Sequence, residues 1–173
     1  MRTLTVRKGG SNYATGWHAL TITKAKYGTY EEKKFLDVWF DGYPENFTLR
    51  VYEKHNKSNE EFAIGNIFRF ANAGISDVLD GPDGNMVVKI NDEPAELTDK
   101  TLNVYFYKDG EYSRALKQVA PTPFSNVVES FNDDDVEYWK TRAEKYYTEY
   151  VKDSSHSNGA MTSTETTTED IPF

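Results

Sequence analysis

The chain has 173 residues, 38% of them hydrophobic and 14% aromatic, with no Cys and a formal net charge of −8; this is enough for one ordinary domain with appendages and excludes disulfides and thiolate metal sites. His18, His55 and His156 are too scattered to build a zinc site by themselves, and no run of about eighteen apolar residues occurs, so a soluble, unexported protein of the cytoplasm (the host's, if viral) with no membrane partner is expected. The charge is polarised: residues 1–124 carry 16 Lys+Arg against 17 Asp+Glu, residues 125–173 carry 4 against 11, and residues 1–58 carry 10 against 6, so the part nearest the start is the one suited to a phosphate backbone.

After a polar leader, residues 1–12, the segment Trp17 to Ala25 alternates loosely and predicts a first strand, closed by a turn at Tyr27-Gly28-Thr29-Tyr30. Lys34 to Asp41 alternates clearly, with Leu36, Val38 and Phe40 on one face and Phe35, Asp37, Trp39 and Asp41 on the other. Gly42-Tyr43-Pro44 is the next turn, and Phe47 to Tyr52 is a third strand with Thr48, Arg50 and Tyr52 opposite its apolar face. The period then changes. Ser58 and Glu61 have capping-box spacing, and Ile64, Ile67, Phe68, Ala71 and Ile75 predict a helix over about 59–73, capped by Gly74. Met86 to Ile90 reads as a short extra strand. Leu102 to Tyr107 alternates again with Leu102, Val104 and Phe106 inward and Tyr105 and Tyr107 outward; Lys108-Asp109-Gly110 is a hairpin signal, and Tyr112 to Val119 returns until Pro121 and Pro123.

The order β-β-β-α-β-β over residues 13–124 predicts a mainly β protein built on a five-stranded OB-fold barrel, which uses a strand face and its neighbouring loops for oligonucleotides. Single-strand binding needs flat rings beside cations, each stacked base contributing roughly 1–3 kcal/mol. The faces opposite the expected core supply Phe35, Trp39, Arg50, Tyr52, Tyr105 and Tyr107, with Lys33, Lys34, Lys54 and Lys57 at strand ends or in adjacent loops. The competing reading is that these rings pack under the C-terminal helix or a long loop.

Residues 125–152 hold a linker and an amphipathic helix. Asn132-Asp133-Asp134-Asp135 opens it with carboxylates at the positive end of the helix dipole, and Val136, Trp139, Ala143, Tyr146 and Tyr150 form an apolar stripe. Docking on the chain's own barrel is the favoured use of that stripe; homodimer formation is the alternative. Residues 153–173 are rich in Ser and Thr, a composition too polar to offset the entropy of ordering. A flexible tether of that length spans roughly 25 Å, and it ends in Glu169, Asp170, Ile171, Pro172 and Phe173, an acidic pair followed by a hydrophobic hook.

Gly16-Trp17-x-Ala19-x-x-Ile22, Phe35-Leu36-Asp37-Val38, Phe62-Ala63-Ile64-Gly65 through Ala71-x-Ala73-Gly74-Ile75, and the return Tyr112 to Pro121 resemble phage-encoded OB-fold proteins that bind single-stranded DNA, and the last five residues are similar to the acidic Ile-Pro-Phe end of bacterial single-stranded DNA-binding proteins. The Ser/Thr tether and the two-residue acidic run depart from the bacterial pattern, which points to a phage or prophage member. The resemblance implies binding and protection of single-stranded DNA during replication, recombination and repair, with partner proteins recruited by the tip and no cofactor or metal. With no phosphate-cradling loop, nucleophile motif or metal-ligand spacing in the sequence, no catalysis is expected. The alternative is an OB-like adaptor or virion-associated interaction protein that binds a protein or another polymer.

Overall fold

A computed structural model describes residues 1–5 and 13–152 of the chain. It is mainly β with two α-helices among the described residues, and its principal sheet has five antiparallel strands, in spatial order β3 (Leu49–Tyr52), β2 (Lys33–Phe40), β1 (Gly16–Tyr30), β6 (Thr101–Asp109) and β7 (Tyr112–Ala115). The organising strand is β1, Gly16–Tyr30, 15 residues long. Its first part, Gly16 to Thr21, pairs with β6 (Thr101–Asp109), and its second part, from Ile22, pairs with β2 (Lys33–Phe40). A bulge between Ile22 and Lys24 bends the strand where it changes partners.

The alternation expected for β2 is present, with Leu36, Val38 and Phe40 buried together with Leu49 and Val51 of β3 (Leu49–Tyr52) and Leu102, Val104 and Phe106 of β6. The expected turn at residues 27–30 is instead the end of β1, and the reversal is made by Glu31 and Glu32, with φ of 50° and 69°. Gly28 is there for clearance: a Cβ at that position would lie 2.5 Å from the ring of Phe35, its partner across the ladder.

Helix α1, Ala63–Phe70, covers the inner face of the sheet with Ile64, Ile67, Phe68 and Phe70. It is shorter than its periodicity predicts, and no capping box forms at Ser58. Glu61 satisfies the first turn by accepting from the backbone N–H groups of Ile64 and Gly65, each at 2.9 Å, while Asn56 organises the preceding loop by accepting from the N–H of Ser58 and of Glu60. The helix stops in a Schellman arrangement in which Asn72, φ 56°, takes the left-handed position expected of Gly74; Ala73 N–H bonds Phe68 O at 2.9 Å and Asn72 N–H bonds Arg69 O at 3.2 Å.

Met86–Ile90 is a strand (β5), paired with β4, Ile75–Asp80, in a separate ribbon that leaves Leu79, Met86 and Val87 exposed. The last small hairpin joins β8, Phe124–Ser125, to β9, Ser130–Phe131. Helix α2, Asp133–Tyr146, begins with Asn132 and Asp135 in a reciprocal capping box and continues as a π-helical turn, Tyr147–Val151. Val136, Trp139 and Ala143 are buried within the chain, Trp139 packing 4.9 Å from Phe70. Those three side chains are therefore committed to this fold and do not present the proposed dimer stripe to a second subunit.

The expected barrel is not closed: the five strands form an open sheet with β3 and β7 (Tyr112–Ala115) at its edges. The cause lies just after β7. Leu116 N–H bonds Tyr105 O and the next ladder bonds join Ala120 to Asn103, so four steps of the returning segment face two steps of β6. Lys117 and Gln118 bulge out of the ladder there, and no regular edge is offered to β3.

Candidate functional site

On the outward face of β2 and β3, Phe35, Asp37, Arg50 and Tyr52 form one unit. The ladder pairs Phe35 with Tyr52 and Asp37 with Arg50. Arg50 donates from Nε and Nη2 to the two carboxylate oxygens of Asp37 at 2.8 and 2.9 Å, a forked pair that raises the pKa of the guanidinium above its ordinary value. The same guanidinium lies 3.8 Å from the Phe35 ring centroid, and Tyr52 meets that ring edge-on at 5.5 Å. Phe35, expected outward and available to a base, is buried beneath Arg50 and is 7% exposed. Period-two alternation places it on the correct face but does not show that a neighbour covers it.

Trp39 lies farther along the same face. Its Nε1 donates to Glu45 O at 2.9 Å, and Lys24 sits 4.7 Å over its ring while pairing with Glu45 at 2.9 Å. One face of the indole is thus already occupied by a cation. Tyr105 and Tyr107 point outward from β6 but lie beneath Tyr147, with centroids 5.4 and 5.0 Å away, and Trp17 of β1 ties the same region to α2 by donating to Glu144 at 2.6 Å. Burial raises the pKa of both tyrosines.

The lysines separate. Lys33 is exposed at the end of the β1–β2 hairpin, Lys57 is exposed in the loop before α1, and Lys34 sits 4.3 Å over Tyr27. Lys54 is different: it is partly buried beside Tyr146, 5.8 Å from the ring, and burial lowers its pKa.

The seam between β3 and β7 gathers residues that the sequence reading leaves unassigned. A cleft of about 610 Å³ opens at one end of it, between β7 and residues 44–48 that lead into β3, walled by Tyr13, Phe47, Tyr107 and Tyr112 and carrying Arg114 and Lys117; none of the described residues lining it is acidic. Arg114 is anchored at the rim by Asp109, at 2.6 Å, with its side chain 56% exposed. Lys117 also lines a second, smaller pocket with Arg50, Tyr52, Lys54 and Tyr146, so the cleft and this pocket adjoin at Lys117. Lys117 is exposed by area, yet the seam crowds its ammonium enough for burial to lower its pKa. Neither Lys54 nor Lys117 makes an ion pair among the described residues. Two crowded ammonium groups without ion-pair partners among the described residues, the Asp37 carboxylate acting on Lys117 from beyond ion-pair distance, lie between aromatic walls and suit an anion bearing flat rings.

Tyr112 and Arg114 were within reach of sequence reasoning, since they alternate with the buried Ser113 and Ala115. Lys117 had no such signal, because it lies in the bulge. Glu169, Asp170, Ile171, Pro172 and Phe173 lie outside the described residues. Among the described residues no helix is long and apolar enough to cross a membrane. Comparison of the chain with protein-family models, with curated proteins and with solved structures finds no match.

Proposed function

We propose that this protein binds and protects single-stranded DNA, with little sequence preference along most of the path, and that the strand runs through the β3–β7 seam and over the outward face of β2 and β3. The observation that carries this reading is the pair of lysines, Lys54 and Lys117, without ion-pair partners among the described residues in a seam walled by aromatic rings. Phosphates would supply the missing counter-charge and bases would stack on the rings. The strand order, with α1 between β3 and the later strands, supports reading the sheet as an OB-type barrel opened at one seam by the Lys117–Gln118 bulge, with the β4–β5 ribbon inserted after the helix. The biological setting is replication, recombination and repair of a phage or prophage genome, and the acidic tip recruits partner proteins. Removing Glu169–Phe173 should leave or raise DNA affinity at low salt while abolishing that recruitment.

The test is fluorescence titration with oligo-dT over a range of salt. Quenching and a steep salt dependence are expected, and the double variant K54M/K117M should reduce the slope of log K against log salt by about 1.4, at about 0.7 per phosphate contact. Binding that is absent or independent of salt would overturn the reading. It would favour an OB-like adaptor that binds protein, for which the exposed Leu79, Met86 and Val87 of the β4–β5 ribbon are the supporting feature.

A further inference from the structure

The pocket that shares Lys117 with the cleft has features that phosphate binding and stacking along a groove do not use. Its volume is about 180 Å³, below the roughly 300–1,000 Å³ of ordinary small-molecule sites, so it suits one ring system. The walls are apolar and aromatic, with Ile67 and Phe70 of α1 on one side and Tyr52 and Tyr146 on others. Two amides nevertheless line it with buried atoms left unpaired: Oε1 of Gln118, a residue 6% exposed, and Nδ2 of Asn66. Both atoms are closed to solvent, so an apolar guest would leave them unpaired, whereas a guest with a polar edge pairs them when the amides turn toward it. The occupant that answers every feature is flat, carries hydrogen-bond donors and acceptors on its edge, and has an anion attached for Lys54 and Lys117.

We propose that the pocket between β3, α1, the Lys117–Gln118 bulge and the end of α2 is a subsite for a single nucleobase. Gln118 and Asn66 bond the edge of the base, Tyr52 and Tyr146 flank its ring, and Lys54 and Lys117 hold the adjoining phosphate. This rests on the single-strand reading and refines it: one position of the bound strand is read by hydrogen bonds, and the rest is held by charge and stacking. The same chemistry would accept the base of a free nucleoside monophosphate.

The test uses the full chain, titrated with dT, dC, dA and dG homo-oligonucleotides of equal length and separately with the four nucleoside monophosphates. The oligonucleotides should differ by about five-fold or more between best and worst, the scale of one amide–base hydrogen bond. Gln118→Met keeps side-chain length without the amide and should bring the four affinities within about two-fold while leaving the salt slope unchanged. Because it removes an unpaired buried group, its thermal midpoint should stay level or rise. Ala63→Leu is an independent variant that fills the pocket from the start of α1, and it should also erase the ranking. Salt-dependent binding with all four affinities equal in the wild type, or a ranking that survives both variants, overturns the subsite and leaves strand binding intact. Base-dependent binding of monophosphates without binding of any oligonucleotide supports the subsite and overturns the strand reading; binding of neither overturns both.

Discussion

Replacing Asp37 with Asn tests whether the β2–β3 face lies on the DNA path, because stability and affinity should move in opposite directions. In the folded protein Asp37 is 8% exposed and accepts both arms of Arg50 at 2.8 and 2.9 Å. A hydrogen bond to a charged group contributes about 1.5–3 kcal/mol net; the Arg50 side chain is 41% exposed, and Asn keeps one oxygen for the guanidinium, so the expected loss is about 1 kcal/mol. Affinity should rise. A carboxylate about 6 Å from a phosphate resting on Arg50 repels it by about 0.7 kcal/mol at the dielectric of water, so Asp37→Asn should bind oligo-dT about three-fold more tightly at low salt, with the gain shrinking as salt screens it. Anisotropy titrations at several salt concentrations, with urea unfolding of the same samples, measure both quantities. If Asp37→Asn loses stability without gaining affinity, Arg50 serves as a lid over Phe35 and the strand does not pass over it.

The Glu31–Glu32 reversal, with two left-handed non-glycine residues, should be relieved by the pair E31N/E32G, which stabilises the chain by about 1–2 kcal/mol in urea unfolding; no gain would mean that the turn is not strained. Trp139→Ala removes a buried ring from against Phe70 and should cost about 3–5 kcal/mol, whereas unchanged stability would refute the docking of α2. Burial lowers the pKa of Lys54 and Lys117 in the folded chain, so DNA affinity should fall as pH rises through those lowered values, below the range where an ordinary lysine loses its proton. Between the lowered values and the ordinary one the unfolded chain binds more protons, so this contribution makes folding stability rise with pH there. Replacing both residues with Arg, which stays protonated, should remove both dependences.

Where one face of an element packs on the core, the sequence was legible. Leu36, Val38 and Phe40 are all buried, because a two-residue period admits one solution once a core exists. Positions decided by contacts distant in sequence were not. Gly28 reads as a turn residue until Phe35 is known to lie across it, and Glu31-Glu32 carries none of the Gly or Asn that marks a tight hairpin. β4 went unread because Ser76, Asp77 and Asp80 interrupt its apolar residues and it packs on no core. The same limit governs the site: alternation put Phe35, Tyr105 and Tyr107 on the outward faces, but only the fold shows Arg50 over the first and Tyr147 over the other two.

The open seam and the candidate site have one origin. Unpaired strand edges invite aggregation and are usually shortened, charged or covered. Here each edge strand has only four residues, and the edge that follows β7 breaks into a bulge. Because that bulge carries two extra residues, an even number, the ladder resumes in phase beyond it, with Ala120 opposite Asn103. The fold therefore tolerates the insertion, while Lys117 and Gln118 leave the ladder and enter the seam that a closed barrel would fill with its own hydrogen bonds. Failure to close thus brings a cation and a buried amide to the two places where a bound strand could use them: Lys117 between cleft and pocket, and Gln118 within the pocket.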